Sequence, residues 1–336
     1  METGIRPLTL GEILDRTALL YRTNFLLFAG IFAVYAGLLM ILNLVQIGVT
    51  SWFDFAHAGL AIKVALFGAL AVKIFVIIAG AGVTTAAINR AVAWVHLGQR
   101  ATISSSFKSI LPKSGRYIWL TFIMYVIIGG PLVLGLVAGG VFLARTPGFL
   151  AGQIDTSNKG TMLAYVAIFG GFGLFFLGWL VYSILMGLRY SLSVPSSVME
   201  DLKAWASIKR SVYLSKGSRG RIFVLLLLAL AIEIGFSMIS QLFIFILAFK
   251  HHGQIGPVAQ SVSQIIAFFT NAFLGPIYAT GLTLFYYDQR VRKEGFDIEW
   301  MMLSAGMTTS ADTGDASIMP APPAPESLSG TESTHE

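Results

Sequence analysis

Long apolar stretches separated by polar connections are the dominant pattern of this sequence. Six of the stretches exceed the roughly 20 residues with which an α-helix crosses the hydrocarbon core of a bilayer. They lie near 24–48, 60–96, 117–145, 161–189, 221–249 and 260–287. The pattern predicts an all-α, polytopic membrane protein with six transmembrane helices in residues 1–302.

A weaker pattern occurs three times, in front of each odd-numbered stretch. In residues 199–214 the apolar side chains, including Trp205, recur at steps of three and four, as on one face of a helix. Capping boxes are predicted at Ser197 with Glu200 and at Thr9 with Glu12. The chain is therefore predicted to form three helical hairpins, each preceded by a cytoplasmic amphipathic helix. Such a helix either lies among lipid head groups or only completes the end of a span.

The composition is typical of a membrane protein and excludes several kinds of functional site. Hydrophobic residues make up 55% of the chain and charged residues 12%, about half the charge of an ordinary soluble domain. These proportions exclude a soluble globular domain and a wholly disordered chain. There is no cysteine, which excludes disulfides, thiolate metal sites and cysteine nucleophiles.

Basic residues are concentrated in alternate connections. The segments before the first stretch and after the last, and the second and fourth connections, carry most of the Lys and Arg side chains. Positive segments stay in the cytoplasm, so both termini are predicted to be cytoplasmic in a bacterial plasma (inner) membrane. The net charge of +6 then indicates anionic lipids of the inner leaflet as partners, and not nucleic acid. Residues 303–336, rich in Ser, Thr, Pro and acids, are predicted to be a disordered cytoplasmic tail.

Polar side chains inside the spans are the first candidates for a site, because a charge at membrane depth is costly. Counting about 1.5 Å per residue places Glu233 about 18 Å and Lys73 about 25 Å from the basic face. The two side chains are therefore predicted to pair inside the bundle. Further polar residues continue along helical faces, namely Ser237, Gln241, Gln264 and Asn271. They either line a substrate path or form hydrogen bonds between helices.

Basic residues at the cytoplasmic face are the second set of candidates. Arg290 and Arg292 belong to an ion-rich collar where the last helix leaves the bilayer. They either anchor that helix or dock a cytoplasmic partner. Lys209 and Arg210 lie on the polar face of 199–214, where anionic lipid would attract them.

Catalytic motifs are missing from the sequence. It contains no G-x-S-x-G, no H-E-x-x-H, no Walker loop and no G-x-G-x-x-G after a strand. Asp54, His57, His251 and His252 are predicted on the outer side, but their spacing fixes no metal geometry. We therefore expect no enzymatic activity, no cofactor and no bound metal.

Two segments near the ends of the chain carry a family resemblance: RPLTLGEILDRTALLYRTNF at 6–25 and LFYYDQRVRKEGFDIEWM at 284–301. They resemble the bacterial family called the membrane domain of glycerophosphoryl diester phosphodiesterase, and the similarity extends over residues 5 to about 302. Some members of that family also carry a soluble phosphodiesterase barrel, whereas this sequence contains no H-R-G catalytic signature. The resemblance therefore implies the six-helix membrane part without the activity.

The function expected from the sequence is that of a non-catalytic integral membrane protein. It would serve as a lipid-interacting scaffold or as an accessory to another membrane or envelope protein. The alternative is a secondary transporter or lipid carrier with a buried site at Lys73 and Glu233.

Overall fold

The computed structural model of the chain describes residues 6–52, 59–145, 159–250 and 257–304. Within these ranges every regular element is a helix and no strand occurs, so the predicted all-α class is confirmed. Most of the predicted tail at 303–336 lies outside the described residues, as do Asp54, His57, His251 and His252.

Eleven α-helices occur in the described ranges, together with the 3₁₀ turn Leu111–Lys113. In chain order they are α1 (Leu10–Thr23), α2 (Phe25–Trp52), α3 (Leu60–His96), α4 (Ile103–Ile110), α5 (Ser114–Ala144), α6 (Lys159–Tyr190), α7 (Ser193–Met199), α8 (Ala204–Ser215), α9 (Arg219–Lys250), α10 (Pro257–Glu294) and α11 (Phe296–Ser304). Six of them, α2, α3, α5, α6, α9 and α10, are long and apolar enough to span a membrane, as predicted.

The short helices stand where the threefold pattern places them. α1 precedes α2 and α3, α4 precedes α5 and α6, and α7 with α8 precedes α9 and α10. The Thr9 hydroxyl accepts a hydrogen bond from the Glu12 backbone N–H, and the Glu12 carboxylate accepts one from the Thr9 backbone N–H. These two bonds form the predicted capping box. A second box, between Thr102 and Ser105, begins α4 and was not predicted.

The capping box predicted at Ser197 and Glu200 does not form. Ser197 lies inside α7, where its hydroxyl donates to the Leu202 carbonyl oxygen at 3.0 Å, and Glu200 follows the last residue of that helix. α8 begins at Ala204 without a side-chain cap. The chain turns at Asp201, whose φ of 51° is left-handed, a conformation that Asp tolerates better than most residues. The prediction is wrong because two short helices meet at a turn where one helix was expected.

Basic side chains of the second hairpin hold this turn in place. Lys113 and Arg116 both donate to the Asp201 carboxylate, and Arg116 also donates to the Leu202 carbonyl oxygen at 3.2 Å. Burial would raise the pKa of the Asp201 carboxyl, but these hydrogen bonds outweigh burial and the pKa lies below its usual value. The α7–α8 turn is therefore tied to the beginning of α5.

Serine side chains allow α8 to pack closely against the end of α6. Ser211 and Ser215 are buried, and each hydroxyl donates to the Arg189 carbonyl oxygen at 3.1 Å. These bonds satisfy a carbonyl that the end of a helix leaves unpaired. Trp205, which belongs to the apolar face of the sequence pattern, is 60% exposed. The face that α8 turns toward the protein is therefore rich in small polar residues.

Buried side chains are concentrated at the end of the bundle where the short helices lie, which we call the inner end. Ile13 of α1, Ile31 of α2 and Ile88 of α3 are fully buried there, and residues 279–291 of α10 are buried at every position. By contrast, α6 is exposed at every position from 169 to 178. The buried core therefore surrounds α10 at the inner end, whereas side chains farther out, such as those of α6, are exposed where lipid would surround them.

Glycines facing aromatic rings hold the helices together farther from the inner end. Gly135 and Gly139 of α5 lie against the rings of Phe175 and Phe172 of α6. A methyl group added at Gly135 would overlap the Phe175 ring, so the ring would have to move or the two helices would have to separate. The same kind of contact recurs between α2 and α3 and between α2 and α10.

A buried carboxylate joins the two ends of the helical domain. The side chain of Asp288, in α10, has no exposed area. It accepts hydrogen bonds from the Leu8 backbone N–H at 2.8 Å, from Arg221 of α9 at 3.1 Å and from Arg292 at 3.0 Å. Both arginines also donate to the Leu8 carbonyl oxygen, at 2.8 and 2.6 Å. We call these four residues the Asp288 clamp; they bring together the two segments that carry the family resemblance.

The clamp predicts a strong effect of a small substitution. Asp288→Asn keeps the size of the side chain but leaves two arginines without their carboxylate, so the free energy of unfolding should fall by about 3–5 kcal/mol. The expected result is a lower melting temperature in detergent micelles and faster tryptic cleavage within α1. Glu12→Gln is the matched control, since Glu12 pairs with the exposed Arg6 at the surface and should change much less. Equal melting temperatures for the two variants would contradict the clamp.

Candidate functional site

A polar cleft lies between α9 and α10 outward from the inner end. The two helices are in contact where Leu225 of α9 lies against Gly281 of α10. Beyond that contact a cleft of about 580 Å³ opens between them. Its lining residues come from one face of each helix: Leu230, Glu233, Ile234, Ser237, Gln241, Gln260, Ser263, Gln264, Ala267, Thr270 and Asn271.

Helical periodicity explains why these residues share one cleft. On α9 the polar residues Glu233, Ser237 and Gln241 follow one another at steps of four, and they were predicted together. On α10 the predicted residues Gln264 and Asn271 are seven positions apart. The structure brings all five predicted residues to the same site. Gln260, Ser263 and Thr270 were missed, although extending the same α10 face by one turn would have found Gln260.

The hydrogen bonds on α10 decide what the cleft offers to a ligand. Ser263, Thr270 and Asn271 each donate to a backbone carbonyl oxygen one turn earlier in the helix, at 2.6, 3.0 and 2.8 Å. The hydroxyl donors of Ser263 and Thr270 and one amide N–H of Asn271 are therefore occupied, and the oxygens of these side chains remain available as acceptors. Gln264 accepts a hydrogen bond from the Asn43 amide at 2.9 Å, so its own amide group can still donate, and the cleft offers both acceptors and donors.

Glu233 adds the negative charge of the cleft. Its side chain is exposed to the cleft, and among the described residues no hydrogen bond or ion pair involves it. A carboxylate in the middle of a membrane-spanning helix requires a partner or water, because hydrocarbon solvates it poorly. Together with the acceptor oxygens of α10, it suits an ammonium group or a cluster of hydroxyl groups.

Lys73 lies in a different place, so the predicted pairing with Glu233 does not form. Its ammonium group donates to the Gln46 side-chain oxygen, at an otherwise apolar pocket of about 380 Å³ between α2 and α3. Within the described ranges no ion pair joins Lys73 to Glu233. Counting residues gives the depth of a side chain but not its direction around the helix. α9 packs against α10, and α3 lies on the other side of α10.

The arginines predicted to face lipid or a partner are mostly used inside the protein. Arg210 of α8 donates to Glu200 at 2.9 Å and to Glu294 at 2.7 Å, and Tyr286 donates to the same Glu200 carboxylate. Burial would lower the pKa of Arg210, but its two carboxylate partners outweigh burial and raise it. The partners come from distant parts of the chain, which a local sequence pattern does not show.

The other two predicted arginines are engaged in the same way. Arg290 is 8% exposed and its guanidinium lies 4.3 Å from the centre of the Phe296 ring, while Arg292 belongs to the Asp288 clamp. This favours the anchoring alternative over the docking alternative for both. Lys209 remains exposed on α8, as its position on the polar face indicates.

Comparison with known proteins assigns no family. No family model, no curated protein and no solved structure matches the chain. The resemblance to the membrane domain of glycerophosphoryl diester phosphodiesterase therefore stays a prediction.

Hydration of the cleft can be tested because the chain has no cysteine. Single variants Gln241→Cys and Ser263→Cys should react rapidly with a membrane-impermeant maleimide added outside intact cells, since water in the cleft lets the thiol ionise. Ile239→Cys, on an exposed apolar position of the same helix, is the matched control and should react at least about tenfold more slowly in hydrocarbon. Equal labelling rates at the three positions would show that no aqueous cleft exists.

Proposed function

We propose that this protein is a non-catalytic, multi-pass protein of the bacterial plasma membrane that binds an amphiphilic molecule between α9 and α10. The polar head of the ligand would enter the cleft, and its apolar part would stay in the bilayer. The observation that carries the proposal is a cleft between two membrane-spanning helices, lined by hydroxyl and amide side chains and by the Glu233 carboxylate, which forms no ion pair with any described residue.

The chemistry of the lining indicates the class of head group. Because Glu233 presents a negative charge and the hydroxyl and amide side chains of α10 present acceptors together with donors, the head should be an ammonium group or a polyol. The apolar side chains Leu230 and Ile234 line the same cleft, and the neighbouring Met238 is 68% exposed. An alkyl chain can therefore lie against α9 while the head group is held by hydrogen bonds.

The orientation of the protein follows from its basic residues. The inner end carries the short helices and the Lys-rich and Arg-rich connections, and cytoplasmic loops are enriched in these residues. The proposal therefore places both termini in the cytoplasm and the cleft toward the outer leaflet. Anionic lipid of the inner leaflet is the expected partner at the basic end.

An accessory role is part of the same proposal. Binding an amphiphile without transforming it suits a scaffold that presents lipid to another membrane or envelope protein. The resemblance to a membrane domain that in some relatives is joined to a phosphodiesterase barrel supports this role, since such a domain serves a neighbouring activity.

Binding by the cleft is tested with three amphiphiles of equal chain length, an alkyl ammonium, a neutral alkyl glycoside and an alkyl sulfate. Native mass spectrometry should show the first two bound in preference to the sulfate. Glu233→Gln should weaken ammonium binding about tenfold or more, because it removes a charge-assisted hydrogen bond, and should leave the glycoside nearly unchanged. Lys73→Met is the control outside the cleft and should match the native protein. If both variants lose ammonium binding equally, the cleft is not the site.

Transport of the same ligand is the second candidate function. Among the described residues Glu233 has no ion-pair partner, which favours transport, because a carboxylate that is not fixed by a structural ion pair is available to a moving substrate.

Proteoliposomes loaded with a fluorescent alkyl ammonium probe separate carriage from binding. A carrier should move the probe between leaflets faster than protein-free liposomes do, and Glu233→Gln should abolish the difference while Lys73→Met keeps it. Movement at the protein-free rate would reject the carrier and leave the binding proposal intact.

A further inference from the structure

A second polar pocket lies at the inner end, between the end of α6, α8 and the beginning of α9. Its volume is about 570 Å³. It is lined by Arg189, Val212, Lys216, Gly217, Arg219 and Gly220. Three of these six residues are cations, and no acidic residue is among them. The pocket is thus the electrostatic opposite of the α9–α10 cleft.

The three cations of this pocket lack acidic partners. In the parts of the chain that the structure describes, Arg189, Lys216 and Arg219 form no ion pair. The neighbouring Arg210 and Arg221, by contrast, are both paired with carboxylates. Lys216 and Arg219 are exposed and solvated, but three like charges that converge on one pocket make it attractive to an anion.

Arg189 also has one hydrogen-bond donor that no described residue satisfies. Its Nε–H is buried, and within the described ranges it has no hydrogen-bond partner. Its backbone carbonyl is fixed by Ser211 and Ser215 of α8, so the residue is held in place beside the pocket. A buried donor without an acceptor costs about 1–3 kcal/mol, so the Arg189 guanidinium carries its charge to the pocket with little compensation from the protein.

The backbone around the pocket leaves room for a tetrahedral anion. Gly217 has a φ of +82°, which turns the chain between α8 and α9, and Gly220 lies in the first turn of α9. A methyl group added at either glycine would meet no atom within 4 Å. The first turn of α9 also contributes the positive end of a helix dipole.

We infer that this pocket binds a phosphate group, and that the phosphate is the head group of an anionic lipid. Two arginines and a lysine provide the charge and the donors that phosphate oxygens require. The pocket adjoins the ends of two membrane-spanning helices, and Leu185 of α6 and Val224 of α9, one turn farther into the membrane, are exposed apolar residues. A lipid phosphate at the pocket would therefore have its acyl chains beside these residues. The inference rests on the lipid partner and orientation proposed above, but not on the α9–α10 cleft.

Two independent variants test the pocket. The double variant Lys216→Gln/Arg219→Gln removes two charges, each of which should contribute about fivefold to affinity for an anionic lipid. Gly220→Asp places a negative charge in the pocket at a position with free space, and an acid in the first turn of a helix is favourable for the fold. Lys209→Gln, which removes an exposed charge of α8 outside the pocket, is the matched control.

Binding is measured by native mass spectrometry with phosphatidylglycerol, with phosphatidylcholine and with inorganic phosphate. The native protein should bind phosphatidylglycerol preferentially, the double variant about 25-fold more weakly, and Gly220→Asp at least as weakly, with its melting temperature unchanged. Lys209→Gln and Glu233→Gln should keep the affinity of the native protein, so a failure of the cleft proposal does not affect this test.

Other outcomes overturn the inference in recognisable ways. Tight binding of inorganic phosphate, with no preference for phosphatidylglycerol, would identify a soluble phosphate source and reject the lipid. An equal loss in Lys209→Gln would show that the whole basic surface attracts lipid and that the pocket is not a site. Unchanged phosphatidylglycerol binding in Gly220→Asp would reject the pocket even if the double variant failed to fold.

Discussion

The buried carboxylate of Asp288 is the constraint on which the arrangement of the helices depends. A charge without exposed area is strongly unfavourable unless it is paired and hydrogen-bonded. Asp288 meets that requirement through the Leu8 N–H, Arg221, Arg292 and the neighbouring Gln289 amide. Because these residues come from the N-terminal segment, α9 and α10, the first and last hairpins must meet at the inner end.

Dense ionic packing at one end explains the openness at the other. Lipid solvates an apolar side chain as well as another helix does, so beyond the inner end little drives the helices together. Glycine contacts such as Gly135 with Phe175 hold α5 on α6. α9 and α10 are in contact at Leu225 and Gly281, and outward from there their facing surfaces are polar. The cleft is therefore a consequence of a firm inner end combined with faces that hydrocarbon cannot fill.

The sequence predicts the membrane spans and the polar helix faces because both are local patterns with a fixed period. It allowed Glu233, Ser237 and Gln241 to be predicted together, since a step of four residues keeps them on one face. It could not place Lys73, because which helix faces which depends on contacts between distant segments. The same limitation applies to Arg210, whose partner Glu294 is 84 residues away.

Ion pairing also determines which basic residues can attract anionic lipid of the membrane. The rule that orients membrane proteins counts every Lys and Arg near the inner end alike, yet Arg221 and Arg292 share one buried carboxylate, which cancels one of their two charges. A compensated pair attracts a distant anion weakly, since its field is that of a dipole and is screened within about 10 Å. Arg189 and Arg219 have no such compensation in the described structure. The affinity for anionic lipid should therefore depend on the uncompensated cations that converge on one pocket and not on the total charge.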